Sequence, residues 1–203
     1  SLYMVMDGKV SVTFAAMPPG RLPMILTRGA FFGEMSLLSG RRRSATITSA
    51  SPAILIEAPR KAVLQLMANE PPVKQYIDES FISRALQTHL LPDIKESLAQ
   101  ELAHKATIKS FKKDEVIYRE GDPADVFYMI VSGRIKVYTQ PAGGPERVYT
   151  YLHEGDYFGE MSLLTHTPHS VSIKVQNDAL LLQIGMEDFQ RILQQIPSIA
   201  VHL

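Results

Sequence analysis

The sequence predicts a mainly β protein with flanking helices, folded as two antiparallel jelly-roll or sandwich domains in tandem. Three observations carry this expectation. The chain of 203 residues repeats itself once. Each repeat is a series of short β-patterned runs separated by turn residues, and helical apolar stripes stand at the ends of those series. The repeat is anchored by Phe32-Gly33-Glu34-Met35-Ser36-Leu37-Leu38, which recurs letter for letter as Phe158-Gly159-Glu160-Met161-Ser162-Leu163-Leu164, a shift of 126 positions. The same shift places Ala53-Ile54-Leu55-Ile56 on Ala179-Leu180-Leu181-Leu182 and Pro71 on Pro197. Upstream it falls to 125, with Tyr3-Met4-Val5-Met6-Asp7-Gly8 on Tyr128-Met129-Ile130-Val131-Ser132-Gly133. The one-residue difference belongs in the intervening loop, where Pro18-Pro19-Gly20 meets Pro141-Ala142-Gly143-Gly144-Pro145. Two long copies mean two domains, expected over residues 1–90 and 91–203.

The register also defines the ends. Copy one has no counterpart of Ala103 to Asp125, and copy two stops where copy one runs on beyond Ile77. Copy one is therefore expected to be truncated at its N-terminus and copy two at its C-terminus, the whole being an internal piece of a longer protein. If the missing elements were absent altogether, copy one would keep unpaired sheet edges.

Copy two reads in order. Pro92 to Leu102 has apolar residues at helical spacing and an early Asp93, which predicts a short helix. Strand-like runs follow over residues 106–111, 115–118, 126–131, 134–138, 147–152, 170–175 and 179–184. They are broken at Gly121-Asp122-Pro123, Ser132-Gly133, the Pro-Ala-Gly-Gly-Pro loop, His153-Glu154-Gly155-Asp156 and Asn177-Asp178, all turn chemistry. Residues 187–195 then read as an amphipathic helix that ends before Pro197. Copy one closes on a longer helical stretch, where Val73, Tyr76, Ile77, Phe81, Ala85 and Leu86 form one apolar stripe and hence a packing face.

Composition narrows the function. A hydrophobic content of 45% suits a globular chain with one or two cores. Lys+Arg 21 against Asp+Glu 21 argues against a general nucleic-acid binder, whose affinity rests on many basic contacts to phosphate. No apolar run approaches the roughly 20 residues of a membrane span, and no signal peptide opens the sequence, so a cytoplasmic setting or the cytoplasmic side of a membrane protein is expected. Zero cysteines exclude disulfides, thiolate zinc sites and a cysteine nucleophile. The neutral total is itself a sum: residues 1–90 carry 10 basic and 6 acidic side chains, and residues 91–203 carry 11 and 15, or +4 and −4.

The seven-residue repeat carries the chemistry. Gly33 followed by one short helical turn over Glu34 to Leu38 offers backbone N–H groups and a positive dipole end, a seat for an anion. Arg43, ten residues after Gly33, can fork onto the same anion with two parallel hydrogen bonds. A carboxylate beside an anion is repelled by it, so Glu34 makes sense opposite a hydroxyl donor such as a ribose. Anion, sugar hydroxyl and apolar surroundings describe a nucleotide of little charge.

The run from Phe32 to Leu38, then Arg43-Ser44-Ala45-Thr46, closely resembles the phosphate-binding cassette of cyclic-nucleotide-binding domains, the module of catabolite activators, protein kinase A regulatory subunits and cyclic-nucleotide-gated channels. The resemblance covers nearly the whole chain in two copies and implies eight-stranded jelly rolls (double-stranded β-helix-like) with flanking helices and a glycine turn at Gly8 or Gly133. It implies that Glu34 takes the ribose 2′-hydroxyl and Arg43 the cyclic phosphate, with Gly33, Met35, Ser36 and Ser44 beside them. Arg41 and Arg42 precede the strand and are expected in solvent. Ser44 after the arginine resembles the cAMP-binding members and favours cAMP over cGMP. No catalytic residue and no cofactor beyond this ligand is expected.

Copy two departs at one place. Gly159, Glu160, Met161 and Ser162 repeat the cassette, but the register puts His169 where Arg43 stands. Imidazole has no bidentate fork and is mostly neutral near pH 7. A second site there is expected to bind cyclic nucleotide weakly, to bind another ligand, or to be structural.

Rivals from other classes are weaker. A cupin-type metal enzyme needs a His-x-His pair with a carboxylate and a further histidine. Here His166 and His169 stand three apart, without equivalents in copy one, and are expected as solvent-exposed loop histidines with no metal. A DNA-binding regulator needs a helix-turn-helix after the long helix, and none can be fitted in. The expected mechanism is a ligand-gated switch acting through residues 73–91 on an effector domain or subunit outside the sequence. The regulatory region of a patatin-like phospholipase, a transporter or a transcription regulator, with a structural rather than a sensing role, is the alternative.

Overall fold

The structure, a computed structural model, describes residues 1–14, 23–40, 42–43, 45–90 and 94–195. The Pro18-Pro19-Gly20 loop, Arg41, Ser44, Pro92, Asp93 and Pro197 therefore lie outside the described residues. The chain forms two compact units, Ser1–Ile77 and Asp78–Leu203.

The first unit contains β1 (Leu2–Asp7), β2 (Val10–Phe14), β3 (Met24–Leu26), β4 (Phe31–Phe32), α1 (Glu34–Ser39), β5 (Ala45–Ser49), β6 (Ile54–Ala58) and α2 (Arg60–Asn69), and α3 (Pro71–Ala85) begins in it. Its strands make two antiparallel three-stranded sheets, ordered β4-β1-β6 and β3-β2-β5. The chain passes between them at Gly8, at φ 80°, where a Cβ would lie 2.0 Å from the Pro52 carbonyl oxygen. Only glycine tolerates that approach. Val5, Val10, Val12, Leu26 and Phe32 form the sheet core. Phe31, Leu37, Val63, Met67 and Ile77 form a second cluster that seats α1, α2 and the start of α3.

On α3 and the π-helical turn that follows it (Leu86–Leu90), Ile77, Phe81, Ala85 and Leu86 are buried, as the stripe predicts. Tyr76 is not. It sits one position off the four-residue spacing of that row and is 58% exposed, with its ring 5.5 Å from Phe31.

The second unit contains α4 (Glu96–Lys105), β7 (Thr107–Phe111), β8 (Val116–Tyr118), β9 (Val126–Thr139), β10 (Arg147–Leu152), β11 (Tyr157–Phe158), α5 (Glu160–Thr165), β12 (Ser172–Gly185) and α6 (Met186–Gln195). The strands order as β10-β9-β12-β7, with β11 added to β9 and β8 to β12. Two expected breaks are absent. Ser132-Gly133 and Asn177-Asp178 lie inside β9 and β12, each of 14 residues, and appear there as shifts of register. The strands approach so closely that a Cβ on Gly133, at φ 110°, would lie 2.5 Å from the Ala179 Cβ. Turn-prone residues are thus spent on bulges that bend a continuous strand. The helix expected from Pro92 starts instead at Glu96, with Lys95 extended at its N-cap (φ −64°, ψ 139°), and runs on to Lys105.

Phe127 of β9 stacks on Phe189 of α6 with centroids 4.3 Å apart, which ties that helix to the sheet. Among the described residues no helix is long and apolar enough to cross a membrane.

Candidate functional site

Each unit carries the same strand–glycine–helix corner. In the first, β4 leads into Gly33 (φ 96°, ψ 0°), which caps the six-residue α1. In the second, β11 leads into Gly159 (φ 93°, ψ −9°), which caps the six-residue α5. The left-handed conformation accounts for glycine at both positions. Close approach does so as well: a Cβ would lie 2.8 Å from the Ser1 carbonyl oxygen at Gly33, and 2.8 Å from that of Val126 at Gly159. Ser1 and Val126 are register equivalents. An aromatic pair backs each corner, Tyr3 on Phe32 at 5.2 Å and Tyr128 on Phe158 at 4.9 Å.

Glu34 is the first residue of α1 and is only 1% exposed, with its Oε2 fully buried. A carboxyl group in such a place needs polar partners to offset its lost hydration. Leu37 on the same helix is buried in the cluster with Phe31, which anchors the corner. Met35 and Ser36 are half-buried, and the Ser36 hydroxyl donates to the Arg42 carbonyl at 3.4 Å. Arg42 is exposed, as expected.

Arg43 folds back onto the glycine turn. Its Nη1 donates to the Gly33 carbonyl at 3.3 Å and its Nη2 to the Ser1 carbonyl at 2.9 Å. The guanidinium carbon lies 5.8 Å from the centre of the Tyr3 ring. The structure thus brings Gly33, Glu34 and Arg43 to one corner, and Arg43 meets it through neutral carbonyl acceptors on an exposed side chain. A Cβ on Gly33 would also lie 2.7 Å from Arg43 Nη1, so the glycine makes room for the arginine.

The second corner keeps the backbone and changes the chemistry. Glu160 starts α5, and burial raises its carboxyl above the ordinary carboxylate range. Met161 is 60% exposed and Ser162 is buried. His166 replaces Gly40 at the end of the helix and adopts a left-handed conformation (φ 53°), costly for a residue with a side chain.

His169 corrects an expectation. It is not a solvent-exposed loop histidine: it is 5% exposed, and its ring stacks on Tyr118 with centroids 3.5 Å apart and planes 3° from parallel. Its backbone is held by a reciprocal pair, the N–H donating to the Asp122 carbonyl at 3.0 Å and the carbonyl accepting from Gly121 N–H at 2.7 Å. Burial lowers the imidazole pKa, against the opposing pull of Asp122 and Asp125, so the ring is neutral near pH 7. Burial and the nearby Glu160 raise the Tyr118 phenol.

Sequence reasoning missed Tyr118, the Gly121–Asp122 clamp and the Ser1 carbonyl. Each is remote in sequence from the cassette, and only the pairing of strands could have pointed to them. Among the described residues no group of three histidine or carboxylate side chains could hold a metal ion, and His166 and His169 do not converge on one.

Comparison with known proteins agrees with this geometry. Residues 1–70 and 108–196 match the family profile described as "Cyclic nucleotide-binding domain". The chain is 28% identical over 172 residues to a cAMP-dependent protein kinase regulatory subunit of Emericella nidulans, covering 84% of this chain and 40% of that protein. It therefore spans well under two thirds of that relative's length.

Among solved structures, the regulatory domain of Toxoplasma gondii PKA with cAMP superposes with a TM-score of 0.56 at 23% identity, covering all of this chain and 78% of that one. The regulatory subunit of a cAMP-independent protein kinase A from Trypanosoma cruzi, bound to guanosine, gives 0.56 at 19% identity, covering 98% and 68%. At these identities the likeness is one of fold.

Proposed function

Because this chain belongs to the cyclic nucleotide-binding domain family, we propose that it is a cyclic-nucleotide-sensing regulatory module in which the first unit binds the ligand and the second binds it weakly or not at all. The family module is a binding domain without catalytic chemistry, and the curated relative is a regulatory subunit. The observation that supports the reading most is Arg43 on the rim of the Gly33 turn beside buried Glu34. A cyclic phosphate at that rim would replace two neutral carbonyl acceptors with a charged one, and the ribose would give Glu34 a hydroxyl donor. Ser44 beside the arginine favours cAMP over cGMP. The switch would pass through residues 73–91 to an effector domain or subunit, in a cytoplasmic setting.

The second unit has a neutral, stacked imidazole where the cation would stand. Charge-assisted hydrogen bonds contribute about 1.5–3 kcal/mol each, so losing two weakens binding by roughly 100-fold or more. That observation favours a second reading for this unit alone: a hydroxyl-bearing ligand without charge. Guanosine, the nucleoside in the Trypanosoma cruzi subunit, is the compound to try.

Calorimetry of the 203-residue chain with cAMP, cGMP and guanosine tests both readings. One strong site for cAMP, weakened about 100-fold or more by Arg43→Ala, is expected. Unchanged tight binding by the Arg43→Ala protein would sink the assignment.

A further inference from the structure

The second unit holds an open cavity of about 450 Å³ that the cassette does not use, within the size range of small-molecule sites. Its floor is Tyr138 of β9 and Ser172 of β12, which stand opposite each other in the paired strands and are each 5% exposed. Their neighbours Val137 and Ile173 point the other way, into the core with Tyr118 and Phe158. His169 stacks on that Tyr118, so the cavity lies across the sheet from the cassette ring. Both walls are fixed by hydrogen bonds. On one side, Glu120 N–H donates to Ser172 Oγ at 2.9 Å, Arg119 N–H to Asp122 Oδ2 at 2.8 Å and Gly121 N–H to the His169 carbonyl at 2.7 Å. On the other, residues 140–142 open the β9–β10 loop. There Gly144 N–H donates to the Pro141 carbonyl at 2.9 Å and the Gln140 amide to the Gly144 carbonyl at 3.3 Å. A site whose walls are set in advance has little ordering cost to meet on binding.

The cavity has donors left over. The buried Ser172 hydroxyl accepts from Glu120 but donates to no acceptor among the described residues, an unusual state for a buried O–H. The Arg119 guanidinium, a fork of five donors, makes no hydrogen bond or ion pair among the described residues. An idle fork and an idle O–H at one cavity suit an oxyanion. Nearby charge agrees. Lys136 and Lys174 stand opposite each other two residues along the same sheet face. With Arg119 they make three cations against Glu120 and Glu146, and Glu146 is already paired with Lys136. Glu120 borders the cavity but is exposed, so water and salt screen it. Tyr138, Pro141 and Ala142 supply an apolar surface beside these donors.

We propose that this cavity binds a small organic oxyanion, a carboxylate or phosphate monoester on a compact apolar body. Arg119 and Ser172 hold the anionic group, and Tyr138, Pro141 and Ala142 hold the apolar part. The ligand steadies residues 119–121 and, through the Gly121 N–H, the backbone of His169, so it acts on the second corner from behind. The site is separate from nucleotide sensing and stands whether or not either unit binds a nucleotide.

The 203-residue chain is titrated with phenyl phosphate and with benzoate, with benzyl alcohol as the neutral control, and followed by backbone amide NMR and calorimetry. At least one of the two anions is expected to give saturable shifts centred on residues 119–121 and 140–142. Its Kd is expected at about 1 mM or tighter, with benzyl alcohol about 10-fold or more weaker. Arg119→Gln removes the fork, leaves the backbone bonds of the wall in place, and is expected to weaken the anion about 10-fold or more. Anion binding persists in the Arg43→Ala protein. At saturation, amide exchange at Gly121 and His169 slows. No saturable shift at those residues with either anion, or equal binding by the Arg119→Gln protein, would overturn the site. So would loss of binding in the Arg43→Ala protein, which would assign the anion to the first corner. Unchanged exchange at Gly121 and His169 in the saturated protein would overturn the link to the second corner.

Discussion

Arg43 donates to two backbone carbonyls at the rim of a glycine turn, whereas His169, its register equivalent, lies stacked under Tyr118. The glycine corner itself is the same in both units to within a few degrees of φ. His169→Arg, made in the Arg43→Ala background, is therefore expected to raise cyclic-nucleotide affinity at least about 10-fold, read by calorimetry, since one charge-assisted bond is enough for that gain.

The buried imidazole also has a pH signature. Its folded pKa lies below its ordinary 6.5, so the unfolded chain binds more protons between the two values. The stability is complete above pH 6.5 and is lost as pH falls below it. Glu160, with its carboxyl raised, acts oppositely above its ordinary 4.5, where ionisation costs stability that protonation returns. His169→Phe keeps an aromatic ring on Tyr118 and removes the titration. The melting temperature of the second unit is expected to fall less between about pH 7.5 and pH 5.5 in that variant than in the parent. An equal fall would assign the dependence to other groups, among them His89, whose imidazole burial also lowers.

Among the elements, the strand–glycine–helix corner was legible because its seven residues recur letter for letter. Its rigidity comes from tertiary approach. Gly33→Ala would force a left-handed alanine, at about 1–2 kcal/mol, and push a Cβ into Arg43 and the Ser1 carbonyl. The expected result is a first unit that melts several degrees lower and binds cyclic nucleotide more weakly, separable from Arg43→Ala because that variant leaves the turn intact. The long strands β9 and β12 were harder to read. Ser132-Gly133 and Asn177-Asp178 have turn chemistry by themselves, and whether such residues end a strand or bulge it depends on the neighbour that pairs across them. Gly133 faces Ala179 across 46 residues of sequence, a distance at which local pattern is silent.

Over the whole molecule, the boundary between the two compact units falls inside α3, between Ile77 and Asp78, rather than in a polar linker. A helix that belongs to both units is a natural reporter of ligand. If the switch runs through it, saturating cAMP changes hydrogen exchange over Pro71–Ala85 in the parent but not in the Arg43→Ala protein. Unchanged exchange in the parent would remove this helix from the mechanism. Charge follows the same division of labour: the half that keeps its cassette arginine is the basic one, and the neutral total concealed it.

By itself the sequence determined that the protein is a duplicated, mainly β fold with flanking helices, and that one copy keeps a carboxylate, a glycine turn and an arginine in cassette order while the other does not. Periodicity and repetition carry such information because they are local or self-referential, needing no knowledge of what packs where. Tertiary structure alone decided the rest: that Arg43 reaches back to Gly33 and Ser1, that His169 is buried against Tyr118 rather than solvated, and that Met4 and Ile56 are exposed where Met129 and Leu182 are not. Burial and partner choice are properties of what surrounds a residue, and surroundings are assembled from segments far apart in the chain.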